Sequence, residues 1–366
     1  MQAKHTQDGF SLIELMISLT LGLLISAAVM QVYLTSIKTS SVQSGGTDIL
    51  EASIFGIQNI EKSIRLSNLG MADSNNPFTP LAGVIMTSDT SLVSASQTDK
   101  SKNNMNGIKM GGTATSVGTD DIDAKYLTKS GIAASNITGL TSSQLTIQYE
   151  APQDMYDCEG TLVRGPIEIE RDGRLELIPG QVIVQRYFLR EVAQNDKSNY
   201  ESNIKSYELR CDAGRYVKEI LNSAELDLQK INDSTILKES RNIRDFGDVG
   251  EVVIPRVDYF GVLLGVEVVE PLTSSVTLRY FTPEQYMTYL ERLSATSTIT
   301  TNIISVKLSA LVRADRPLTG ETGASSFIIF GEPKTLSTDT SKAFIRRVYE
   351  SNIMLRNSRA IKESSI

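Results

Sequence analysis

A single carboxylate, that of Glu14, lies at the start of a long apolar segment near the N-terminus. The 23 residues from Leu15 to Ile37 carry no charge, and the next charged residue is Lys38. A carboxylate in an apolar helix costs on the order of 2.5–3.5 kcal/mol at the centre of a bilayer and less near its edge. A buried carboxylate is usually kept because it has a cationic partner, but the segment itself offers Glu14 no cation.

Few side chains that carry enzymatic chemistry are available in this chain. Its 366 residues include one histidine, His5, and no tryptophan. Beyond His5 the chain therefore lacks the imidazole that Ser–His–Asp and Cys–His nucleophiles and His-ligated zinc sites require. Catalysis by a pair of carboxylates is compatible with this composition. A chain with 43 acidic residues always contains such pairs, however, so their presence does not indicate an enzyme. We predict that the chain is not an enzyme and that it binds no cofactor.

The charge of the chain gives no reason to expect nucleic-acid binding. The formal net charge is −7, which provides no general attraction to phosphates. Arg346 and Arg347 with Tyr349 form too small a basic group, and a solvated strand edge explains them better. No glycine-rich phosphate loop follows a predicted strand. We predict no direct contact with nucleic acid.

Two cysteines, Cys158 and Cys211, are the only thiols. In a domain exported beyond a membrane anchor, an even pair of cysteines favours one disulfide over a metal site. Closing a loop of 53 residues would stabilise the fold by about 4 kcal/mol in the chain-entropy description. Two buried free thiols are the alternative.

The acidic residues Asp120, Asp121 and Asp123 could ligate calcium, which prefers oxygen ligands. The segment lacks the glycine and the distal glutamate of an EF-hand loop. A half-buried strand with outward polar residues over Asp121–Tyr126 explains the pattern better. We predict no metal site.

A long helix is predicted over residues 10–68. The uncharged run covers roughly 35 Å as a helix, which spans the hydrocarbon core of a bilayer, so residues 15–37 are the predicted transmembrane span. Farther along, isoleucines and a leucine recur at intervals of three and four and indicate an amphipathic half. Gly45-Gly46 in between could mark a segment that stretches or only a tolerated kink. The apolar positions are Leu50, Ile54, Ile57, Ile60 and Ile64.

The remaining residues, 69–366, read as an antiparallel β-sheet domain, which makes the predicted fold class α+β. Polar insertions are predicted near 86–119 and 221–248, and Thr282-Pro283 opens a short helix through Leu293. Asp172-Gly173 is a hairpin signal. Strands are predicted at 145–149, 167–170, 175–177, 181–189, 207–211, 249–254, 259–269, 276–280, 303–312, 327–330 and 348–355.

The N-terminal residues resemble the prepilin signature of type IV pilins and type II secretion pseudopilins. The resemblance rests on a short polar leader (residues 1–9), Gly9-Phe10, a glutamate four residues later and a spanning helix. It implies that a prepilin peptidase cuts between Gly9 and Phe10, that the Phe10 amine is N-methylated, and that Glu14 pairs with the Phe10 ammonium of a neighbouring subunit. An unprocessed signal anchor stays open. A cleaved secretory leader fits poorly, because its apolar region is shorter, roughly 7–15 residues.

Four downstream stretches resemble the PilW group of minor pilins. This resemblance implies a pilin-like fold, with the long helix packed on an antiparallel sheet, and a role in priming pilus assembly in the bacterial inner membrane and at the pilus tip. The implied partners are other minor pilins, the major pilin, the prepilin peptidase and a PilY-type tip adhesin. The stretches are Asp157-Cys158-x-Gly160, Tyr207–Cys211, Ile304–Arg313 and Arg346–Asn357.

Three other functions are compatible with this sequence. A type II secretion pseudopilin of the large J type shares the anchor and much of the architecture. An anchored enzyme would need a catalytic cluster that the residue types do not favour. A tip adhesin would place ligand contacts in the two insertions.

Overall fold

The computed structural model describes residues 11–88, 103–111, 120–171, 173–219, 241–293, 298–318, 322–338, 340 and 343–358. Its first element is one helix, α1, over Leu12–Leu66. The helix runs without a break through Gly45-Gly46. It ends where Asn68 and Gly70 adopt positive φ values of 68° and 64°, the left-handed conformation common after helices.

The second half of α1 packs on the β-sheet domain, but not through the face that the sequence predicts. Ile60 and Ile64 are buried as expected, whereas Leu50 and Ile54 are 37% and 41% exposed. Ile49 is buried instead. Glycines set this face, because they let the helix axis approach the sheets closely. At Gly45 an added Cβ would lie 3.4 Å from Ala314 Cβ.

Gly56 marks the closest approach of α1 to a strand. A Cβ added there would lie 2.8 Å from the Val253 carbonyl oxygen and would also collide with Ile254. Only glycine fits this contact without a shift of the helix or the strand. The buried face of α1 therefore includes Gly45, Ile49, Gly56, Ile60 and Ile64, all of which are buried.

Fifteen strands lie in the described part of the chain, together with a second helix, α2, over Pro283–Arg292. They are β1 (Lys129–Ala133), β2 (Ser142–Glu150), β3 (Met155–Tyr156), β4 (Leu162–Val163), β5 (Ile167–Arg171), β6 (Arg174–Ile178), β7 (Val182–Glu191), β8 (Tyr207–Tyr216), β9 (Glu251–Ile254), β10 (Val257–Glu270), β11 (Ser275–Phe281), β12 (Thr300–Pro317), β13 (Ser326–Ile329), β14 (Glu332–Thr335) and β15 (Phe344–Met354).

Two antiparallel sheets form the domain. The first has the strand order β1-β2-β7-β8-β9 and the second the order β11-β10-β12-β15. The pairs β3-β4, β5-β6 and β13-β14 are separate hairpins. Helix α1 contacts β9 of the first sheet and β12 and β15 of the second, so its second half belongs to the core between them. The predicted α+β fold, a long helix packed on antiparallel sheet, is confirmed.

The predicted short helix that opens at Thr282-Pro283 is confirmed, whereas the predicted strand over Asp121–Tyr126 is wrong. Thr282 caps α2 in a capping box with Gln285, and proline occupies the first turn, as predicted. Residues 121–126 do not form a strand: Ala124–Tyr126 is a 3₁₀ turn whose N-cap is Asp123. The Asp123 side chain accepts a hydrogen bond from the Lys125 N–H, and this local bond competes with the extended conformation.

The two predicted insertions lie largely outside the described residues, which omit 89–102, 112–119 and 220–240. The described part of the first is closely packed. Asn104 is buried, and its side chain donates to the carbonyl oxygens of Asn76 and Thr79 at 2.8 and 2.9 Å. Residues 103–108 therefore form part of the folded domain rather than an exposed loop.

A buried ion network joins the two sheets. Asp258 of β10 accepts a hydrogen bond from Arg346 Nε of β15 at 2.6 Å, and its other oxygen lies 3.7 Å from Arg313 Nε of β12. Arg313 also pairs with Glu201, which lies between β7 and β8 of the first sheet. All four side chains are at least nine-tenths buried. The network ties a loop of one sheet to three strands of the other.

Candidate functional site

Glu14 lies in the first turn of α1, and its backbone is held by the helix cap. Ser11 is the N-cap residue, and its Oγ accepts a hydrogen bond from the Glu14 N–H at 3.2 Å. Ser18 Oγ donates to the Glu14 carbonyl oxygen at 2.7 Å. Within the described part of the chain, the Glu14 carboxylate makes no hydrogen bond or ion pair. Its charge is thus available to a partner.

The apolar half of α1 is uncovered in the isolated subunit. Every residue from 11 to 40 is exposed, including Leu12 at 81% and Leu24 at 69%. By length and composition this helix could cross a membrane. A run of this length in water would be costly, at roughly 25 cal/mol per Å² of exposed apolar surface. The apolar half therefore needs lipid or other helices around it.

The predicted cleavage and methylation residues, Gly9 and Phe10, lie outside the described residues. The structure therefore leaves their roles as predictions. The described residues begin directly after them, at Ser11, the N-cap of α1.

The two cysteines form the predicted disulfide, Cys158–Cys211. Cys158 lies in the turn of the β3-β4 hairpin, and Cys211 lies in β8, flanked by β7 and β9. The side chain of Asp157 shapes the same turn by accepting hydrogen bonds from the N–H groups of Glu159 and Thr161, both at 2.9 Å. The disulfide thereby fixes this small hairpin to an interior strand of the first sheet.

Beside the disulfide, three carboxylates meet. Oxygen atoms of Glu159, Asp212 and Asp248 lie within 4.8 Å of one another. Burial, with the repulsion of neighbouring carboxylates, raises the pKa of Glu159 to about 8. Burial also raises the pKa of Asp212 to about 6, against the opposing effect of Arg186. Arg186 Nη2 lies 2.7 Å from Asp212 Oδ2.

Among the described residues, these three carboxylates are the group whose oxygen atoms could hold a cation. Calcium and magnesium are the candidate ions, because both prefer oxygen ligands such as carboxylates. Arg186 already supplies the cluster with one positive charge. The predicted calcium alternative involves different residues: Asp121 is paired with Lys109, and Asp123 caps the 3₁₀ turn.

Sequence reasoning missed the cluster, although one signal was present. Glu159 and Asp212 each directly follow a cysteine of the predicted disulfide, so the bond that joins the cysteines also brings these two carboxylates together. Asp248 gave no such signal, because only the fold brings the loop before β9 to this position.

The raised pKa of Glu159 predicts a pH-dependent stability. The unfolded chain releases this proton near pH 4.5, the ordinary value, whereas the folded protein keeps it to about pH 8. Over that interval the native state binds more protons, so the free energy of unfolding falls as the pH rises. We expect Glu159→Gln to match the wild type below pH 4.5 and to have a higher Tm above pH 8.

Thermal unfolding followed across this pH range checks the expectation, with Glu168→Gln, at an exposed position of β5, as the matched control. A Tm difference between Glu159→Gln and wild type that does not change with pH would contradict it.

Comparison with known families gives two matches. Residues 4–30 match the profile described as Prokaryotic N-terminal methylation motif, and residues 228–357 match the profile described as Type IV Pilus-assembly protein W. Over these residues the chain is similar to PilW and carries the methylation motif. The first match covers Gly9, Phe10 and Glu14. The second covers β9 to β15 and α2, and so includes three members of the buried ion network, Asp258, Arg313 and Arg346.

The PilW match also bears on the stretches that suggested this group from the sequence. Ile304–Arg313 and Arg346–Asn357 lie inside the matched residues, whereas Tyr207–Cys211 and the turn at Cys158 lie outside them. Besides these matches, the chain has an apolar N-terminal helix and one disulfide.

Other comparisons are more distant. No curated protein matches the chain. Among solved structures, the chain is similar to a type IV-like pilin from Thermus thermophilus, with 12% sequence identity and a TM-score of 0.23 over 62% of this chain and 81% of that one.

Proposed function

We propose that this chain is a structural minor pilin of a type IV pilus that primes pilus assembly and is retained at the pilus tip. Prepilin peptidase removes residues 1–9, Phe10 becomes the methylated N-terminus, and residues 15–37 anchor the subunit in the bacterial inner membrane. The β-rich part, residues 69–366, lies in the periplasm. The residue types favour a structural role over catalysis.

The observation that carries this proposal is the exposure of the first half of α1 and of the Glu14 carboxylate within it. The apolar half of the helix is exposed throughout, and its single carboxylate has no partner within the described residues. Both features are unfavourable in an isolated subunit. Packing against the helices of other pilins would cover the apolar surface, and an N-terminal ammonium from one of them would pair with the carboxylate.

The partners follow from this arrangement. Other minor pilins and the major pilin would supply the neighbouring helices, and a PilY-type adhesin would join at the tip. The pilus would serve twitching motility, adhesion or DNA uptake.

Glu14→Ala tests the proposal. We expect the variant to be processed normally, because cleavage occurs before this residue. Its mature mass should then differ from that of the wild type only by the replacement of glutamate with alanine. Incorporation into sheared pili should fall about tenfold or more, which corresponds to the loss of one buried ion pair worth at least ~1.4 kcal/mol. The measurement is mass spectrometry of the membrane form together with quantitative immunoblotting of pili.

Ser18→Ala is the matched control, since it alters the same helix and removes only the hydrogen bond to the Glu14 carbonyl oxygen. Glu14→Ala incorporated into pili at the wild-type level would refute the pairing.

A further inference from the structure

A cavity of about 560 Å³ opens beside the second half of α1. Its walls come from three elements: α1 itself, the β3-β4 hairpin and β9. Its volume lies in the range of about 300–1,000 Å³ that is typical of sites for small groups. Nothing in the predicted function of the helix requires this space.

The floor of the cavity is polar and uncharged. Tyr149, Tyr187 and Gln185 line it, and each is at most 2% exposed. Burial raises the pKa of Tyr149 to about 12 and also raises that of Tyr187, so both phenols stay neutral. The Tyr187 hydroxyl donates to Gln185 Oε1 at 3.0 Å. Gln185 Nε2 makes no hydrogen bond with any described residue, and it leaves a donor available to an occupant.

The mouth of the cavity is aromatic. Phe55 of α1 is 69% exposed and Tyr156 of β3 is 68% exposed, and both line the opening. Large aromatic side chains with this exposure are typical of surfaces that a partner covers. The disulfide at Cys158 fixes the hairpin that carries Tyr156, so this wall is held in place before any partner arrives.

An apolar ridge on α1 connects the membrane-spanning half to this mouth. Val42, Leu50 and Ile54 are 44%, 37% and 41% exposed, and their spacing in multiples of four places them on one ridge of the helix. Gly46 lies on the same ridge with open space around it, where another helix could approach closely. A helix packed along the apolar half would therefore follow this ridge to Phe55.

We propose that the cavity is a socket for the neighbouring pilin subunit: it receives a side chain from the N-terminal helix that packs along α1. This inference rests on the proposed function, because it takes the occupant from the same helix packing. The continuity of the exposed ridge with the apolar half of α1 favours a helix over a free small molecule.

The lining defines the chemistry of the occupant. Its body is apolar or aromatic, because Ile60, Met155 and Val253 line the walls. Its tip carries an uncharged hydrogen-bond acceptor that reaches Gln185 Nε2. Lys62 and Asp157 also line the cavity, but the buried floor around Gln185 is neutral, so a charged tip is disfavoured there.

Photo-crosslinking in cells that contain the native pilus tests the socket. Benzoylphenylalanine is placed at Phe55, at Tyr156 and, as a control, at Leu272, which is 89% exposed in the β10-β11 turn. We expect the first two positions to give about tenfold more product than Leu272. Mass spectrometry should map that product to the apolar N-terminal helix of another subunit that carries a prepilin signature. Ser63→Leu, which places a larger side chain in the socket, should reduce the product from Tyr156.

A probe at Leu24, in the apolar half, separates the two hypotheses. If Leu24 crosslinks to a pilin-type helix while Phe55 and Tyr156 give no product, or give only lipid, glycan or unrelated proteins, the socket is wrong and the proposed function stands. If Leu24 gives no pilin-type product either, the proposed function itself fails.

Discussion

Replacement of Gly9 by valine is expected to leave the nine-residue leader attached and to abolish incorporation into pili. The prepilin signature places the cut directly after Gly9, at a residue without a side chain that could hinder approach to the carbonyl group. Valine adds a β-branched side chain at that position. The Phe10 amine then stays in a peptide bond, so it has no positive charge to offer to Glu14 of a neighbour.

Intact-mass measurement of the membrane form checks this result. The wild type should have lost residues 1–9 and gained a methyl group, whereas Gly9→Val should retain Met1. Gln7→Val, which makes a similar change within the leader, is expected to be processed normally. A wild-type mature mass for Gly9→Val would show that the leader is removed in spite of the valine, and would contradict this prediction.

The variant Asp258→Ala, which removes a buried carboxylate, is expected to be strongly destabilised. Its free energy of unfolding should fall by about 3–5 kcal/mol. Asp258 is fully buried. It accepts hydrogen bonds from Arg346 Nε and Asn136 Nδ2, both at 2.6 Å. Without it, Arg346 has no carboxylate partner among the described residues, and Arg313 keeps only Glu201. An uncompensated buried guanidinium is strongly unfavourable.

Urea unfolding of the full-length protein in detergent measures this loss. Glu332→Ala is the matched control, because it removes a carboxylate from the exposed Lys334–Glu332 pair and should leave the midpoint unchanged. If Asp258→Ala unfolds at the wild-type urea concentration, the network does not hold the sheets together.

Most elements of the fold could be predicted from local sequence. The strand alternation at β2 and β5, the apolar runs at β7 and β10 and the cap of α2 depend on residues that are neighbours in the chain, so the local sequence alone indicates them. The segment at residues 121–126 could not be predicted in this way. There the Asp123 side chain caps a 3₁₀ turn, and this bond overrides an alternation that looks like a strand.

The orientation of α1 shows the limit of periodicity. The spacing of Leu50, Ile54 and Ile60 predicts one apolar face, but it does not say where the sheets lie. Gly56 decides the face, because the helix approaches β9 most closely where a side chain is missing. Leu50 and Ile54 are left exposed as a result, and that exposure forms the ridge toward the proposed socket.

The sequence by itself determined the apolar N-terminal segment, its lone glutamate, the disulfide partners and the absence of histidine after His5. Each of these depends on residue type and on distance along the chain. Only the tertiary structure decided that Glu159, Asp212 and Asp248 meet, that Asp258 pairs with arginines from two strands, and that a cavity lies beside α1. The reason is that such contacts join residues far apart in the chain, and their geometry is set by how two sheets and a helix pack rather than by any local pattern.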